Sequence, residues 1–517
     1  MIHRPSFDLT TEPWLPVIRR GSLDEVGLRE LFRAAHDIED LAIPVPPAAS
    51  GIWRILYAIT ARITGLDDTD LDFRTWSRRR NDLITSPHGF DQRAVEEYFD
   101  RWAARFDLFH PERPWLQDPR LATQCEKDAG VNKLVFSRSS GNNHVWFDHH
   151  HDQHLAPLPA KEAAWHLVAQ LYYGAAGRCS TRRVGTTSQA NTQAGPLRGT
   201  LSFHPVGEDL FQSLLAGLVH PRTSRSDGQS PPDLAPWETD ELPDPLGIPP
   251  RPGGLVSALT NRARHALLLT PTPDGGQVSG ARLTWAFRHP AGEFEDPYLI
   301  HQVATSGAVY ARTADGHRAL WRDLDALVNE ENEADPRKAS RPRVLREALN
   351  LPLQMLEVIR VRAFGFDQDR QSKDNTWFTA ITPPILKWAK ERDPDMAYGI
   401  ARARVAAEEA QRRLAEALRK AWRDYSRRDP KGPNPWIPAA DSRYWPRAER
   451  VFWQVIDQRA FDQVDQAFTR LALEVYEEVT DMTCRQPRGA RAVYRHRPGL
   501  FSPTRKPAAP IATRGAA

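Results

Sequence analysis

The spacing of apolar residues predicts a chain that changes character along its length. Phe7–Ile18 reads as a short strand interrupted by Pro13 and Pro16. Ser22–Ala35 reads as a helix with Ser22 as N-cap and Leu28, Leu31 and Phe32 on one face. A second helix covers Gly51–Ile63, where Ile52, Leu56, Ile59 and Ile63 fall at core spacing, and a third covers Val95–Phe106, turning Trp102 and Phe106 inward. Lys161–Tyr172 is a clear helix, followed after a gap by a strand-like run at Leu201–Pro205 and a helix-like Asp209–Val219. Gln277–Phe287 and Tyr298–Ala304 read as strands, with Pro271–Gly276 as a turn. From Asp323 helical periodicity takes over: Arg343–Phe364 with a kink at Pro352, then Asp395–Tyr425 and Arg447–Thr483, separated by a Pro/Gly-rich turn at Asp429–Pro438. No strict heptad persists, so a bundle is favoured over a coiled coil. The expectation is an α+β chain. A large mixed α/β domain covers 1–378, a helical bundle 379–500 and a disordered basic tail 501–517.

Three stretches break the pattern. Between Gly174 and Thr200 no apolar period can be found; Gly, Ala, Ser, Thr, Asn and Gln alternate with Arg178, Arg182, Arg183 and Arg198. A structureless connection of about 25 residues inside a compact protein is uncommon, and is usually functional or disordered. Its small residues let backbone approach a ligand, its N–H groups can cradle anions, and its arginines bring charge, as a nucleic-acid loop requires. The bland reading is a flexible surface loop. Gly365–Trp377 is a second polar loop, without an apolar residue between Phe366 and Trp377. Pro111–Asn143 is mostly loop with a brief apolar insert at Gly130–Phe136, and Arg222–Pro250 has the composition of a linker.

At 517 residues the chain is long enough for two or three domains. Its 43 prolines and 16 tryptophans point to many loops and short elements in the first three quarters. A net charge of +3 hides an asymmetry: after Asp481 there is no acidic residue, while eight Lys and Arg remain, leaving a net acidic body. Contact with nucleic acid would therefore be local, on patches and loops. The short run Arg78–Arg80 reads as a solvated face. Cys125, Cys179 and Cys484 show no paired spacing for a disulfide framework or zinc site. The N-terminal segment carries no apolar signal-like run and no stretch is apolar enough to span a membrane, so a cytoplasmic location is expected.

Strong catalytic patterns are missing. The sequence contains no GxxxxGK[ST], HExxH, GxSxG or Gly-rich dinucleotide fingerprint. Cys179 and His204 would make a thiol pair only by coincidence in a chain of 17 histidines. Phe147-Asp-His-His-His-Asp-Gln-His154 offers imidazole and carboxylate donors, but consecutive histidines converge poorly on one ion. A metal-dependent nuclease or transferase built on 147–154 is the alternative to a binding protein, and a scaffold whose loops bind only protein is a third reading. No metal, cofactor or catalytic residue is expected under the favoured reading.

The opening Phe7-Asp-Leu-Thr-Thr-Glu-Pro-Trp-Leu-Pro-Val, the Pro196–Gly199 segment, the Asp367–Trp377 loop and the C-terminal helical region, in this order, resemble the CasA family. CasA is the large subunit of Cascade, the type I-E CRISPR surveillance complex. The resemblance implies a mixed α/β N-terminal domain, a C-terminal four-helix bundle and no catalysis. It implies recognition of the protospacer-adjacent motif (PAM) in duplex DNA from the minor groove, help in opening the duplex, and transfer of the displaced strand to a recruited helicase–nuclease. The partners implied are the other Cascade subunits, the guide RNA and double-stranded target DNA, with sequence beyond the PAM read by guide pairing. The family's glycine loop looks most like Gly174-Ala175-Ala176-Gly177, with Arg178 adjoining, and Thr192–Gly195 as the rival placement. The family's glutamine wedge falls in Asp367–Lys373: Gln371 is favoured, Gln368 is the alternative, and Asp369 or Arg370 would touch the PAM. The PAM-reading lysine has no match in Gln277–Phe287, where Arg282 is the nearest basic residue. Val131 and Asn132 match the short loop that docks into the complex near the guide's 5′ end. Phosphate contacts would come from Arg178, Arg182, Arg183, or bundle residues such as Arg412, Arg413, Arg419 and Lys420.

Overall fold

A computed structural model describes residues 4–140, 145, 147–151, 153, 155–221, 231–292, 294–304, 306–329, 341–368, 374–426 and 434–501. The chain divides into two compact units, one drawn from Met1–Leu320 and Glu330–Lys387, the other from Trp321–Asn329 and Trp388–Ala517. The tail expected over 501–517 lies outside the described residues except for Phe501.

The first unit mixes short sheets and helices around one long buried helix, Pro46–Thr64. Proline at its start fits a position where the missing N–H costs nothing, and Gly65 at φ +63° ends it by returning its N–H to Ala61 and Arg62. The helix begins earlier than the expected Gly51 because Pro46 and Pro47 open it rather than precede it. Helix Ala160–Tyr173 lies against it and is buried along most of its length. Strand Leu201–Val206 pairs antiparallel with Arg360–Gln368, which pairs in turn with Asp374–Ile381. A separate sheet joins His265–Pro271 to Gln277–Trp285.

Several elements differ from the sequence pattern. Ser22–Val26 is a strand pairing with Leu15–Arg19, and the helix is only Leu28–Arg33 with Gly27 at its cap. The Leu28, Leu31 and Phe32 face is buried as the spacing requires. Arg343–Phe364 is not one kinked helix. Two short helices, Arg343–Ala348 and Leu353–Val358, flank Pro352, and Arg360 begins a strand because a partner strand is waiting at Leu201–Val206. Arg80, expected on a solvated face, is wholly buried and donates to the Leu218 and Glu347 carbonyls while lying over Trp76.

The second unit is helical. Pro394–Ser426, Trp436–Gln458, Val464–Cys484 and Pro487–His496 pack together, the first touching all the others. The expected helix Arg447–Thr483 is interrupted at Arg459, whose φ of +50° turns the chain. Trp321 joins this unit by packing on Phe452 at 4.7 Å between ring centroids. Among the described residues, no helix is long and apolar enough to cross a membrane.

Candidate nucleic-acid interface

The stretch without apolar period is a β-hairpin, not an irregular loop. Gly177–Val184 pairs antiparallel with Thr187–Thr192 through the turn Gly185-Thr186, where Gly185 takes the left-handed φ of +55° that short hairpin turns demand. Its strands escaped detection because they are almost entirely polar. The hairpin rests on its neighbours through other means: Thr284 Oγ1 donates to the Ser180 carbonyl at 2.7 Å, and Trp285 Nε1 to that of Gln189 at 3.1 Å.

The two rival glycine placements prove to be the two sides of one structure, the base of this hairpin. Gly177 is the ladder partner of Thr192, and the Gly195 N–H donates to the Gly174 carbonyl at 2.9 Å. Both inner glycines are required by contact. A Cβ on Gly174 would lie 2.6 Å from the Gln170 carbonyl oxygen, and one on Gly195 2.6 Å from that of Tyr172. Gly177, by contrast, is exposed with open space around it and φ +116°. Ala175 and Ala176 are half-buried between them. His265 Nε2–H donates to the Ala175 carbonyl at 3.0 Å. Burial pushes the pKa of this imidazole down to about 4, despite that hydrogen bond, and Arg198 and Lys133 push the same way.

The arginines of the stretch divide by environment. Arg178 is exposed at the hairpin base. Arg183 is largely exposed and reaches Glu126 at 2.5 Å. Arg182 corrects its assignment as a phosphate contact: its side chain is 0% exposed, bonded to Asp118 at 2.7 Å, the Trp285 carbonyl at 3.0 Å and Gln124 at 2.8 Å. A guanidinium buried and bonded in this way anchors the hairpin and is out of reach of DNA. Arg198 is likewise internal, 2% exposed and paired with Asp374 at 2.9 Å.

The second polar loop is also a hairpin, Arg360–Gln368 with Asp374–Ile381, and its last ladder pair is Gln368 with Asp374. Asp369, Arg370 and Gln371 lie outside the described residues. The structure brings this hairpin to the glycine base. Gln368 Nε2 donates to Asp374 at 2.6 Å and to the Tyr173 carbonyl at 3.4 Å, while its Oε1 accepts from the Gly199 N–H at 3.3 Å. Asp374 and Arg198, which no sequence pattern links, complete the junction.

Other predicted residues sit elsewhere. Arg282 is half-buried on strand Gln277–Trp285 and donates to the Cys125 carbonyl at 3.4 Å. Val131 and Asn132 begin a short helix and are buried in this chain, so in this conformation their side chains are not available to a docking partner. In the bundle, Arg412 and Arg413 pair with Glu409, and Arg419 and Lys420 with Glu416 along their own helix.

The alternative chemistry finds little geometry. His150 Nδ1 is 2.6 Å from Asp148, which also accepts from the Ser139 N–H. Asp152 and His154 lie outside the described residues, and among those described no group of three or more His, Cys, Asp or Glu could hold a metal ion. Cys179 and His204 do not form a pair. His204 is buried, stacked on Tyr57 and Tyr298 and bonded to Tyr57 and Ser202, whereas the Cys179 thiol faces Thr284 at 3.6 Å and is pushed up by burial.

The family model for CRISPR-associated protein Cse1 matches residues 8–508. A CRISPR-associated protein CasA/Cse1 of Thermus thermophilus is 29% identical over 334 residues, which is 62% of this chain and 60% of that protein. A chain of a solved CRISPR RNA-guided surveillance complex superposes with a TM-score of 0.86 at 43% identity, covering 96% of this chain and 100% of its own. The crystal structure of Thermobifida fusca Cse1 shares the fold, with a TM-score of 0.75 at 22% identity, covering 96% of this chain and 98% of its own. The chain belongs to the CRISPR-associated Cse1 (CasA) family.

Proposed function

We propose that this chain is the non-catalytic CasA subunit of a type I-E RNA-guided surveillance complex. In that role it recognises the PAM in duplex DNA from the minor groove, promotes duplex opening and R-loop formation, and helps recruit the helicase–nuclease. Its partners are the other Cascade subunits, the guide RNA, double-stranded target DNA and that nuclease, acting in the cytoplasm. The observation that carries the reading is the convergence of two polar hairpins, far apart in sequence, at the glycine base: Gln368 reaches the Tyr173 and Gly199 backbone directly. Exposed Gly177 and Arg178 then offer backbone and charge to a groove.

This division of labour makes physical sense. Minor-groove edges separate A·T from G·C and little else, so a base built of backbone donors reads them permissively. A side chain inserted between base steps costs a few kcal/mol of unstacking, which phosphate and groove contacts must offset. Gln371 is the proposed wedge, Asp369 or Arg370 would touch the PAM, and Arg282 is the nearest basic candidate for the family's missing reading lysine. Docking through 130–136 uses exposed Lys133, or a rearrangement that frees Val131 and Asn132. The test is binding of a PAM-containing duplex to the reconstituted complex with and without this chain, at two salt concentrations. PAM preference and strand opening are expected to vanish without it; equal PAM reading in its absence overturns the proposal.

A further inference from the structure

The junction between the hairpins is more specific than a surface contact. Tyr173 ends its helix, so its carbonyl has no partner within the helix and needs a donor. Arg198 supplies one at 3.1 Å from Nη1, a favourable place for a cation near a helix C-terminus. Its other terminal nitrogen donates to Asp374 at 2.9 Å, and Gln368 donates to the same carboxylate oxygen at 2.6 Å. Since the Arg198 side chain is only 2% exposed, its charge must be compensated internally, and Asp374, 18% exposed, does so. Gln368 uses both ends of its amide here, which leaves it engaged at the hairpin's foot rather than free to insert.

We propose that Arg198, Asp374 and Gln368 are positioning residues that clamp the foot of the 360–381 hairpin to the glycine base. The hairpin's foot and the glycine base are then presented to DNA in fixed register. Gln368 and Asp374 are the final ladder pair, so the clamp acts at the point from which 369–373 departs. A wedge works only if it enters the duplex where the neighbouring contact has already placed it, and small misplacements are costly. Gly199 permits the close approach: a Cβ there would lie 3.1 Å from the Gln368 carbonyl oxygen, at a φ of +71°. The inference rests on the DNA-recognition reading above.

The test uses the full chain in the reconstituted complex, with Asp374→Asn, Arg198→Lys and Gln368→Ala. Two quantities are compared: the opening rate of a fully paired PAM duplex, followed by 2-aminopurine fluorescence, and affinity for the same duplex with its first target pairs already mismatched. Opening is expected to slow roughly ten- to a hundredfold, with affinity for the pre-opened duplex unchanged. Unchanged opening in all three variants overturns the clamp, as does a parallel loss of both quantities, which would mark a merely structural junction. If Arg198→Lys does not fold, Asp374→Asn, a near-isosteric change at a residue that is no candidate wedge, still decides. Absence of PAM-dependent opening in the parent complex would instead sink the DNA reading itself.

Discussion

Arginine does two different jobs in the two units. In the first, Arg54, Arg80, Arg182 and Arg198 are almost wholly buried and bind carbonyls and carboxylates from distant segments. In the second, Arg412, Arg419, Arg447 and Arg485 lie on helix surfaces and pair with glutamates or an aspartate in solvent. The cause is backbone accounting. Short strands, hairpins and abrupt helix ends leave carbonyls without partners, and a guanidinium with five N–H groups in a rigid fork can satisfy several at once. Long helices satisfy most of their own backbone, so many of their arginines turn to exposed carboxylates, although Arg404 is about one-fifth exposed and pairs with Asp325 and Glu408. The buried fasteners Arg54, Arg80, Arg182 and Arg198 all belong to the first unit, which also carries surface arginines such as Arg178 and Arg183.

The sharpest way to break this contrast is Arg182→Met. The change removes three bonds and leaves Asp118 with Arg120 alone, and the loss of one member of a buried pair costs roughly 3–5 kcal/mol. Urea unfolding of the first unit should show it. Burial alone would raise the Asp118 carboxyl, but the Arg120 hydrogen bond and the Arg182 charge outweigh it and hold the pKa below its ordinary value. The sign follows: a depressed carboxylate gives stability that is complete above the unfolded value of about 4 and is lost as pH falls through the folded value. The variant should lose stability less steeply in acid than the parent. An equally steep acid loss would mean that Arg182 does not hold Asp118.

Next in size is the titration of His265 at the glycine base. Its folded pKa of about 4 lies below the unfolded value of about 6.5, so the unfolded chain binds more protons in between. Stability is full above pH 6.5 or so and is lost as pH falls toward 4, a span worth up to about 3 kcal/mol. The added proton would go to Nδ1, which is buried without a partner, with Arg198 and Lys133 opposing it. His166, also pushed to about 4, titrates in the same window, so global unfolding cannot isolate the effect. Hydrogen exchange at Gly174–Gly177 can: protection should fall below pH 6.5 in the parent and change less in His265→Gln. Identical pH dependence in both would remove His265 from the base.

How much of this was legible follows the same division. The long helices announced themselves because burial on one face writes a 3.6-residue period into sequence, as at Val464, Phe468, Leu471 and Val475. The hairpin at 177–192 did not, because polar strands that hold on through side chain–backbone bonds write no alternation. Ser22–Val26 took a strand because pairing with Leu15–Arg19 overrode its local pattern. At the site, failure of periodicity located both polar segments, yet it could not say that their feet meet. Gln368 finds its partners 195 and 169 residues away, at Tyr173 and Gly199, and no local rule links such positions. The arginines were the hardest to read, since Arg182 and Arg183 are neighbours with opposite fates.

The smallest effect lies in the bundle, and its smallness is informative. Glu416 accepts from Lys420 at 3.0 Å and from Arg419 at 3.2 Å, with all three side chains about half exposed. Such pairs lie along one helix at i,i+3 and i,i+4, where solvent and salt screen most of the attraction. Glu416→Gln should therefore change unfolding stability by less than about 0.5 kcal/mol, and the difference should fade further as salt is raised. What the substitution does change is the field: Arg419 and Lys420 lose their shared counter-charge. If the bundle contributes a phosphate path in the proposed complex, duplex affinity at low salt should rise while stability stays still. A stability loss of several kcal/mol would show instead that this pair is a fastener of the Arg182 kind, and the division between the two units would fail.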